Sequence, residues 1–486
     1  MNVPFSKKVF TLFILCTVVA CAIRWFFFEK FGTFLNDDTS YVGMAKHIFT
    51  SFPTVDGSSP HTLFPPGYPF ILAIENIVFK SFFEARKFEY IFITAIIPFI
   101  IIAFFKPLDI KISLPHVSII FFTPFFLFFT ATLGGATEIW FTIFTLCGTY
   151  SILNFHISQR IIFLFLANCL FSFSYLIRPE GLAYFASSAI AIFFSFNLSR
   201  FVGNRFVIVK ISMALLVPIC AIIIPYVLFL YDSTGQITIS GKSAFNHELV
   251  SSIYSTQTEK FTTNTAGLVR VLLAPFFLGP IIVSLLLAFF AGLVLQYHPF
   301  QKNYILLIAP IPIIFFAMIN FLPWARALVS TVPIFIIFAV KGLDFLNSRF
   351  ENKLSPAIFF VLLTIAQLGI TFTPLALGKF DSNPKQYYEL ASVLEASSKP
   401  ILLFSRDETL QLFIHNVEVC RQFENCQRGL DYAILSNSNH DKLSGISAVE
   451  NQEIPPRYFI YQNNQCSIIQ SNKNGSTWFA AYRCTN

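Results

Sequence analysis

The sequence predicts an all-α polytopic membrane bundle of about eleven transmembrane helices, followed by a small water-facing α/β domain. Three observations lead there. Only 12% of the 486 residues are charged, about half the share of a soluble domain, so a soluble fold could not cover the 55% that are hydrophobic. Apolar runs of about 20 residues, each able to cross a hydrocarbon core of about 30 Å, recur from Val9 to Ala376. Beyond Gly378 the long runs stop and charges return every few residues.

The first run, Val9 to Phe28, follows Lys7 and Lys8. It is too long for the apolar core of a secretory leader and lacks a small-residue cleavage site, so it reads as an uncleaved first span. With Lys7 and Lys8 inside, this span delivers a large loop, 30–67, to the outer face. Further spans are expected at 90–105, 117–133, 138–155, 160–177, 182–198, 211–231, 270–296, 304–321, 327–346 and 356–376. The loops with Lys106/Lys111, Arg160, Arg200/Arg205/Lys210, Lys302 and Lys341/Arg349/Lys353 then all face inside, as the positive-inside bias requires. Segment 68–83 decides the count. It is apolar but short, and a full crossing there would invert every later loop. It is therefore read as an interfacial or re-entrant helix, which leaves Lys80, Arg86 and Lys87 on the outer side, partly offset by Glu84 and Glu89. The net charge of +7 forms no basic stripe of the kind that binds nucleic acid, and no internal repeat is present.

The body thus covers 1–377 and the outer domain 378–486. In the latter, Pro384 to Ser397 and Glu408 to His415 have helical spacing, while Ile401 to Phe404 and Tyr432 to Leu435 read as strands. Cys466 to Gln470 and Trp478 to Arg483 flank Asn474-Gly475, a hairpin signal. The hairpin brings Cys466 and Cys484 into near register for a disulfide, with Cys420–Cys426 as a second, short loop. Zinc is the rival for these four cysteines, but no CxxC pair is present. The other five cysteines lie in spans and are read as packing.

This threading gathers Asp37, Asp38, His61, Glu138, Arg178, Glu180, Lys242 and Arg326 on the outer side; a crossing at 68–83 would separate Asp37 and Asp38 from Glu138. Asp37-Asp38 opens a short amphipathic helix with Tyr41, Met44, Ala45 and Ile48 on one face. One Asp suffices to cap a helix; a second invites a role as general base or metal ligand. His61 precedes a stiff Pro65-Pro66-Gly67 turn. Glu138 begins a span, and Arg178-Pro179-Glu180-Gly181 is a tight outer turn, read either as a surface ion pair or as an arginine held by Glu180 for a phosphate. Lys242 lies in the long loop 232–269, and Arg326 at another outer end. Acids and bases at one mouth of an apolar bundle suit a polyprenyl-phosphate sugar. Its tail needs a groove between spans, its phosphate needs cations, and transfer of the sugar needs a carboxylate base. No metal is required if cations hold the phosphate; Asp38, His61 or Glu138 would be the ligands of an optional divalent ion.

At these residues the sequence resembles the GT-C membrane glycosyltransferases, in the branch of protein O-mannosyltransferase-like and lipid A aminoarabinose-transferase-like enzymes. Asp37-Asp38-Thr39-Ser40-Tyr41, with Ala45, is similar to that branch's Asp-Glu-x-x-Tyr-x-x-x-Ala signature. Pro65-Pro66-Gly67-Tyr68-Pro69 is similar to its Pro-Pro-x-Tyr-Pro turn. Thr137-Glu138 resembles its second acidic position, usually Asp, and Arg326 with Pro333 resembles an Arg-Tyr-x-x-x-x-x-Pro element with Ala327 in the Tyr place. The resemblance implies Asp37 as the catalytic acid position, with Asp38 and Glu138 beside it. It adds Tyr41, His61 and Arg326 as substrate-binding residues, to which their outer location and charge add Arg178, Glu180 and Lys242. It implies inverting hexosyl or pentosyl transfer from the polyprenyl-phosphate donor to a lipid, glycan or protein acceptor, on the outer face of a bacterial inner membrane. The rival readings are a transporter or flippase, or a polymerase or ligase, of lipid-linked glycans. Transporters place ionisable residues near mid-membrane, whereas here the charges gather at outer ends.

Overall fold

The computed structural model describes residues 7–31, 36–49, 64–121, 136–195, 205–235, 237–238, 302–314 and 331–349, and in the C-terminal part 401–405, 417–420, 432–436, 457–461, 464–474 and 477–485. Expectations for the spans at 270–296 and 356–376, the helices at 384–397 and 408–415, and Cys426 lie outside the described residues. The helices are α1 (Lys7–Phe31), α2 (Asn36–His47), α3 (Gly67–Phe79), α4 (Phe82–Phe105), α5 (Leu114–Phe121), α6 (Ala136–Ser158), α7 (Ile161–Ile177), α8 (Phe185–Ser195), α9 (Arg205–Pro218), α10 (Ile224–Thr234), α11 (Lys302–Ile308) and α12 (Val332–Arg349). A 3₁₀ turn, Pro179–Tyr184, joins α7 to α8, and a π segment, Ile219–Ile223, joins α9 to α10.

Among the described residues, Lys7–Phe26, Glu84–Phe105 and Phe206–Thr234 are long and apolar enough to cross a membrane, at 20, 22 and 29 residues. Their outward faces are apolar: Leu15, Val18, Phe26, Phe206, Val209 and Met213 are all exposed. Such a surface suits lipid, not water. Threonines inside the body return their hydroxyls to their own helix. Thr17, Thr142, Thr145 and Thr149 each donate to the carbonyl four residues back, at 2.6–2.9 Å, so no polar group is left facing hydrocarbon there. Pro218 has no N–H to return to the Ala214 carbonyl, and Asn168 Nδ2 donates to that carbonyl instead, at 3.3 Å.

The two ends of the bundle differ. Helix α1 runs antiparallel to α4, with Phe13 against Phe99 at 5.0 Å and Phe28 against Tyr90 at 5.3 Å. At the end where α4 finishes, Phe105 meets His116 of α5, which pairs with Asp344 of α12 at 3.0 Å. Asn303 of α11 donates to the Pro107 carbonyl there at 3.0 Å. Lys106, Lys111 and Lys302 follow the chain at this end, as the loop charges predict.

At the other end, α3 packs on the start of α4. Its first turn touches α4 through Tyr68 and Arg86, at 2.8 Å, and its last through Phe79 and Phe88, at 4.9 Å. Both ends of α3 therefore sit beside the first two turns of α4. Lys80 ends α3 with a left-handed backbone, φ 54°, and Ser81 caps α4 by accepting from Glu84 N–H. The expected outer basic cluster is corrected here. Arg86 is not a loop charge but a buried side chain of α4, and Lys87 lies over the Trp25 ring at 5.4 Å. Helix α4 begins at Phe82, earlier than the expected span at 90, because its first turns carry charges that are neutralised internally.

The C-terminal strands β1 (Ile401–Ser405), β2 (Val417–Cys420), β3 (Tyr432–Ser436), β4 (Tyr458–Tyr461), β5 (Asn464–Asn474) and β6 (Thr477–Thr485) form one mixed sheet in the order β2-β1-β3-β6-β5-β4. Strand β1 pairs parallel to β2 and β3, and the remaining pairs are antiparallel. Asn474 opposes Thr477, and Cys466 opposes Cys484 and is bonded to it. Non-reducing peptide mapping of the full-length protein is expected to return a Cys466–Cys484 linked pair; free thiols at both positions would contradict this register.

Candidate functional site

The turn that closes α7 holds the densest charge at the outer end. Arg178 caps α7 in an extended conformation, and Pro179, fixed in φ, starts the 3₁₀ turn that returns the chain into α8. Glu180 follows in that turn, while Glu138 stands in the first turn of α6, where the helix dipole favours a carboxylate. Arg178 joins the two. Its Nη1 donates to Glu138 Oε1, its Nη2 to Glu180 Oε1 at 2.9 Å, and its Nε to Glu180 Oε2 at 3.5 Å. Thr137 Oγ1 donates to the second Glu138 oxygen at 2.9 Å, and the guanidinium lies 6.0 Å from the Phe141 ring centre. Burial disfavours the arginine's charge, but Glu180 and then Glu138 outweigh it, and Arg178 is held above its usual range. One guanidinium thus bridges two carboxylates.

Glycine sets how closely the surrounding chain approaches. A Cβ on Gly67 would lie 2.6 Å from the Leu176 carbonyl oxygen, and one on Gly181 would lie 2.5 Å from Tyr175 N. Pro65-Pro66-Gly67 therefore seats α3 directly on the last turn of α7, one residue from Arg178. Tyr68, next in sequence, is fully buried, and its ring meets the edge of Tyr41 from α2 at 5.1 Å. Phe64 closes the other side of Tyr41 at 4.9 Å. Tyr41 is also near enough to Arg178 to support its charge.

Of the sequence-predicted residues, the fold brings Glu138, Arg178, Glu180 and Tyr41 together. Asp37 and Asp38 belong to α2, one turn before Tyr41, but their side chains lie outside the described residues. His61, Lys242 and Arg326 also lie outside them. Among the described residues no three His, Cys, Asp or Glu side chains converge as a metal site.

Sequence reasoning missed two features. Lys46, in the last turn of α2, is mostly buried, and burial pushes its amine down to about 8. Beneath Tyr41 lies a polar cluster. Arg86 Nη1 donates to Glu89 Oε2 at 2.7 Å and to Tyr68 OH at 2.8 Å, Tyr68 OH donates to Glu89 Oε2 at 3.1 Å, and Trp140 Nε1 donates to Glu89 Oε1 at 2.7 Å. The readable signal was Ser81-Phe82-Phe83-Glu84, a capping box that starts the helix ahead of Arg86 and puts Arg86 and Glu89 at i, i+3 on it.

The charge count at Arg178 gives an asymmetric expectation. Glu180→Gln leaves a neutral Arg178–Glu138 pair and should shift the unfolding temperature little. Arg178→Gln removes the guanidinium that both carboxylates share and should destabilise the protein more than Glu180→Gln does, by about 3 kcal/mol. Thermal unfolding of the purified variants, with membrane yield, checks the order.

No protein-family model matches the sequence, and no curated protein matches it. Solved structures do. ArnT from Cupriavidus metallidurans bound to undecaprenyl phosphate aligns with a TM-score of 0.59 and 12% identity, over 96% of this chain and 97% of that one. The same protein in the apo state aligns with a TM-score of 0.60 and 11% identity, over 98% of each. ArnT is an aminoarabinose transferase, a GT-C glycosyltransferase. Over nearly its whole length, this chain has the fold of ArnT.

Proposed function

We propose that this protein is a membrane glycosyltransferase that takes a sugar from a polyprenyl-phosphate donor and passes it to a lipid, glycan or protein acceptor at the outer face. The observation that carries the reading is the placement of α2, with Asp37, against the Glu138–Arg178–Glu180 cluster within an ArnT-like fold of full length. One of those ArnT structures holds undecaprenyl phosphate, which supports the same class of lipid here.

Asp37 acts as general base. It takes the acceptor's hydroxyl or amine proton as that atom bonds to the sugar's anomeric carbon, the carbon–oxygen bond to phosphate breaks, and polyprenyl phosphate leaves as the anion. Attack opposite the leaving phosphate inverts the anomeric centre, for a hexose or a pentose alike. Arg178 is already bracketed by two carboxylates, so the leaving phosphate falls to other cations: Lys46 on α2, Lys242 and Arg326. Glu138 and Glu180 fix Arg178 as the wall of the site. Asp38 and His61 complete the loop side, with a divalent ion as an optional addition.

The full threading has eleven spans in a bacterial inner membrane, with the N-terminus inside and the C-terminal domain outside. The transporter reading gains one observation, since Arg24, Arg86 and Glu89 are charges buried within helices. Arg86 and Glu89, however, pair with each other in the first two turns of α4, at the mouth, so they serve the site's framework and not a path through the body.

Asp37→Asn keeps the shape of the side chain and removes the base. Transfer is expected to fall by about 10²–10⁴-fold, measured by mass spectrometry of surface glycans and lipids at matched protein level. Near-normal transfer would reduce Asp37 to a helix cap. Reporter fusions after residues 205 and 378 are expected to report inside and outside respectively, and an inside signal from the second would break the threading.

A further inference from the structure

The polar cluster beneath Tyr41 is built around one carboxylate. Glu89 is fully buried and uses both oxygens: Oε2 accepts from Arg86 at 2.7 Å and Tyr68 at 3.1 Å, and Oε1 accepts from Trp140 at 2.7 Å. Its partners come from three helices, α3, α4 and α6. Each outer partner stands next to a part of the proposed site. Tyr68 carries Tyr41, and with it α2, on its ring at 5.1 Å; it also follows Gly67, which sits on the α7 turn before Arg178. Trp140 lies two residues after Glu138 in α6. A carboxylate placed only to neutralise Arg86 needs one of these bonds. Glu89 makes all three, and those to Tyr68 and Trp140 tie the loop helix to the start of α6. Glu75 of α3 also lies within hydrogen-bonding reach of Glu89, so α3 meets this carboxylate through a second side chain beside Tyr68.

Resting on the reading of a glycosyltransferase, we propose that Glu89 is a positioning residue for sugar transfer: through Tyr68 and Trp140 it fixes the spacing between the Asp37 helix and Glu138. It touches neither donor nor acceptor. Its effect belongs to the alignment of the base with the reacting carbon, where a displacement near 1 Å costs about 10²-fold in rate.

The test uses the full-length protein and two variants that remove one donor each while keeping ring volume, Tyr68→Phe and Trp140→Phe. Transfer is read in cells by mass spectrometry at matched protein level. Binding of undecaprenyl phosphate is read on purified protein in nanodiscs, together with the unfolding temperature. Both variants are expected to lose transfer by about 10-fold to 10²-fold while undecaprenyl phosphate affinity stays within about twofold and the protein remains folded. Glu75→Gln, which keeps the bonds from Arg86, Tyr68 and Trp140 and whose amide can still donate to Glu89, is expected to retain transfer. The proposal is overturned if Tyr68→Phe and Trp140→Phe transfer normally while Asp37→Asn does not. It is overturned equally if transfer, affinity and unfolding temperature fall together, or if Glu75→Gln loses as much transfer as Trp140→Phe. Normal transfer by Asp37→Asn would remove the reading beneath it and the proposal with it.

Discussion

A charge buried in an apolar body has to be paired, and the outer mouth of this protein is organised by that requirement. Breaking a buried pair by removing one partner costs about 3–5 kcal/mol, a large share of any protein's stability. Arg86 and Glu89 therefore cannot separate, and because Glu89 also holds Tyr68 and Trp140, the first turns of α3, α4 and α6 cannot separate either. The same rule applies a few residues away. Arg178 binds Glu138 at the start of α6 to Glu180 in the turn after α7. Helix α6 thus takes part in both clusters, through Glu138 and Trp140, and Tyr41 packs on Tyr68 and lies near enough to Arg178 to support its charge. The mouth is held by two pairings of charge that share one helix and one aromatic ring.

That arrangement explains why α3 stops short. A helix that crossed the body would have carried the Pro65-Pro66-Gly67 turn away from α4. By lying across the first two turns of α4, α3 presents Tyr68 to Arg86 and Gly67 to the end of α7 together. In the proposed reading, the body supplies apolar walls for a lipid tail, and the mouth supplies fixed charge for a head group. An ArnT-like fold over the whole chain agrees with this division.

Much of this was legible in the sequence. Loop charges grouped the end of α4 with the start of α11, because basic residues are biased to one side of a membrane, and the two meet through Pro107 and Asn303. The strands at Ile401 and Tyr432 and the hairpin with its cystine followed from alternation and turn chemistry. Glu138, Arg178 and Glu180 could be nominated as one cluster because the threading put them on one side. Strands β2 and β4 were not legible: four residues each are too short for a period to show. The Glu89 cluster was hidden for another reason. A run with Glu84, Arg86, Lys87 and Glu89 reads as a solvated loop when each charge is weighed alone, and only the partners supplied by Tyr68 and Trp140, 18 and 51 residues away from theirs, make burial affordable. Likewise the Arg178–Glu180 pair was legible as neighbours in one turn, whereas the bond to Glu138, 40 residues distant, was not.

The central claim is that this mouth moves a sugar off a polyprenyl phosphate, and the most direct measurement is mass spectrometry of surface glycans, envelope lipids and polyprenyl-phosphate sugars in cells with and without the gene. The account predicts that deletion removes one sugar from a surface acceptor and raises the corresponding polyprenyl-phosphate sugar. Unchanged acceptors and unchanged lipid-linked sugars would contradict it.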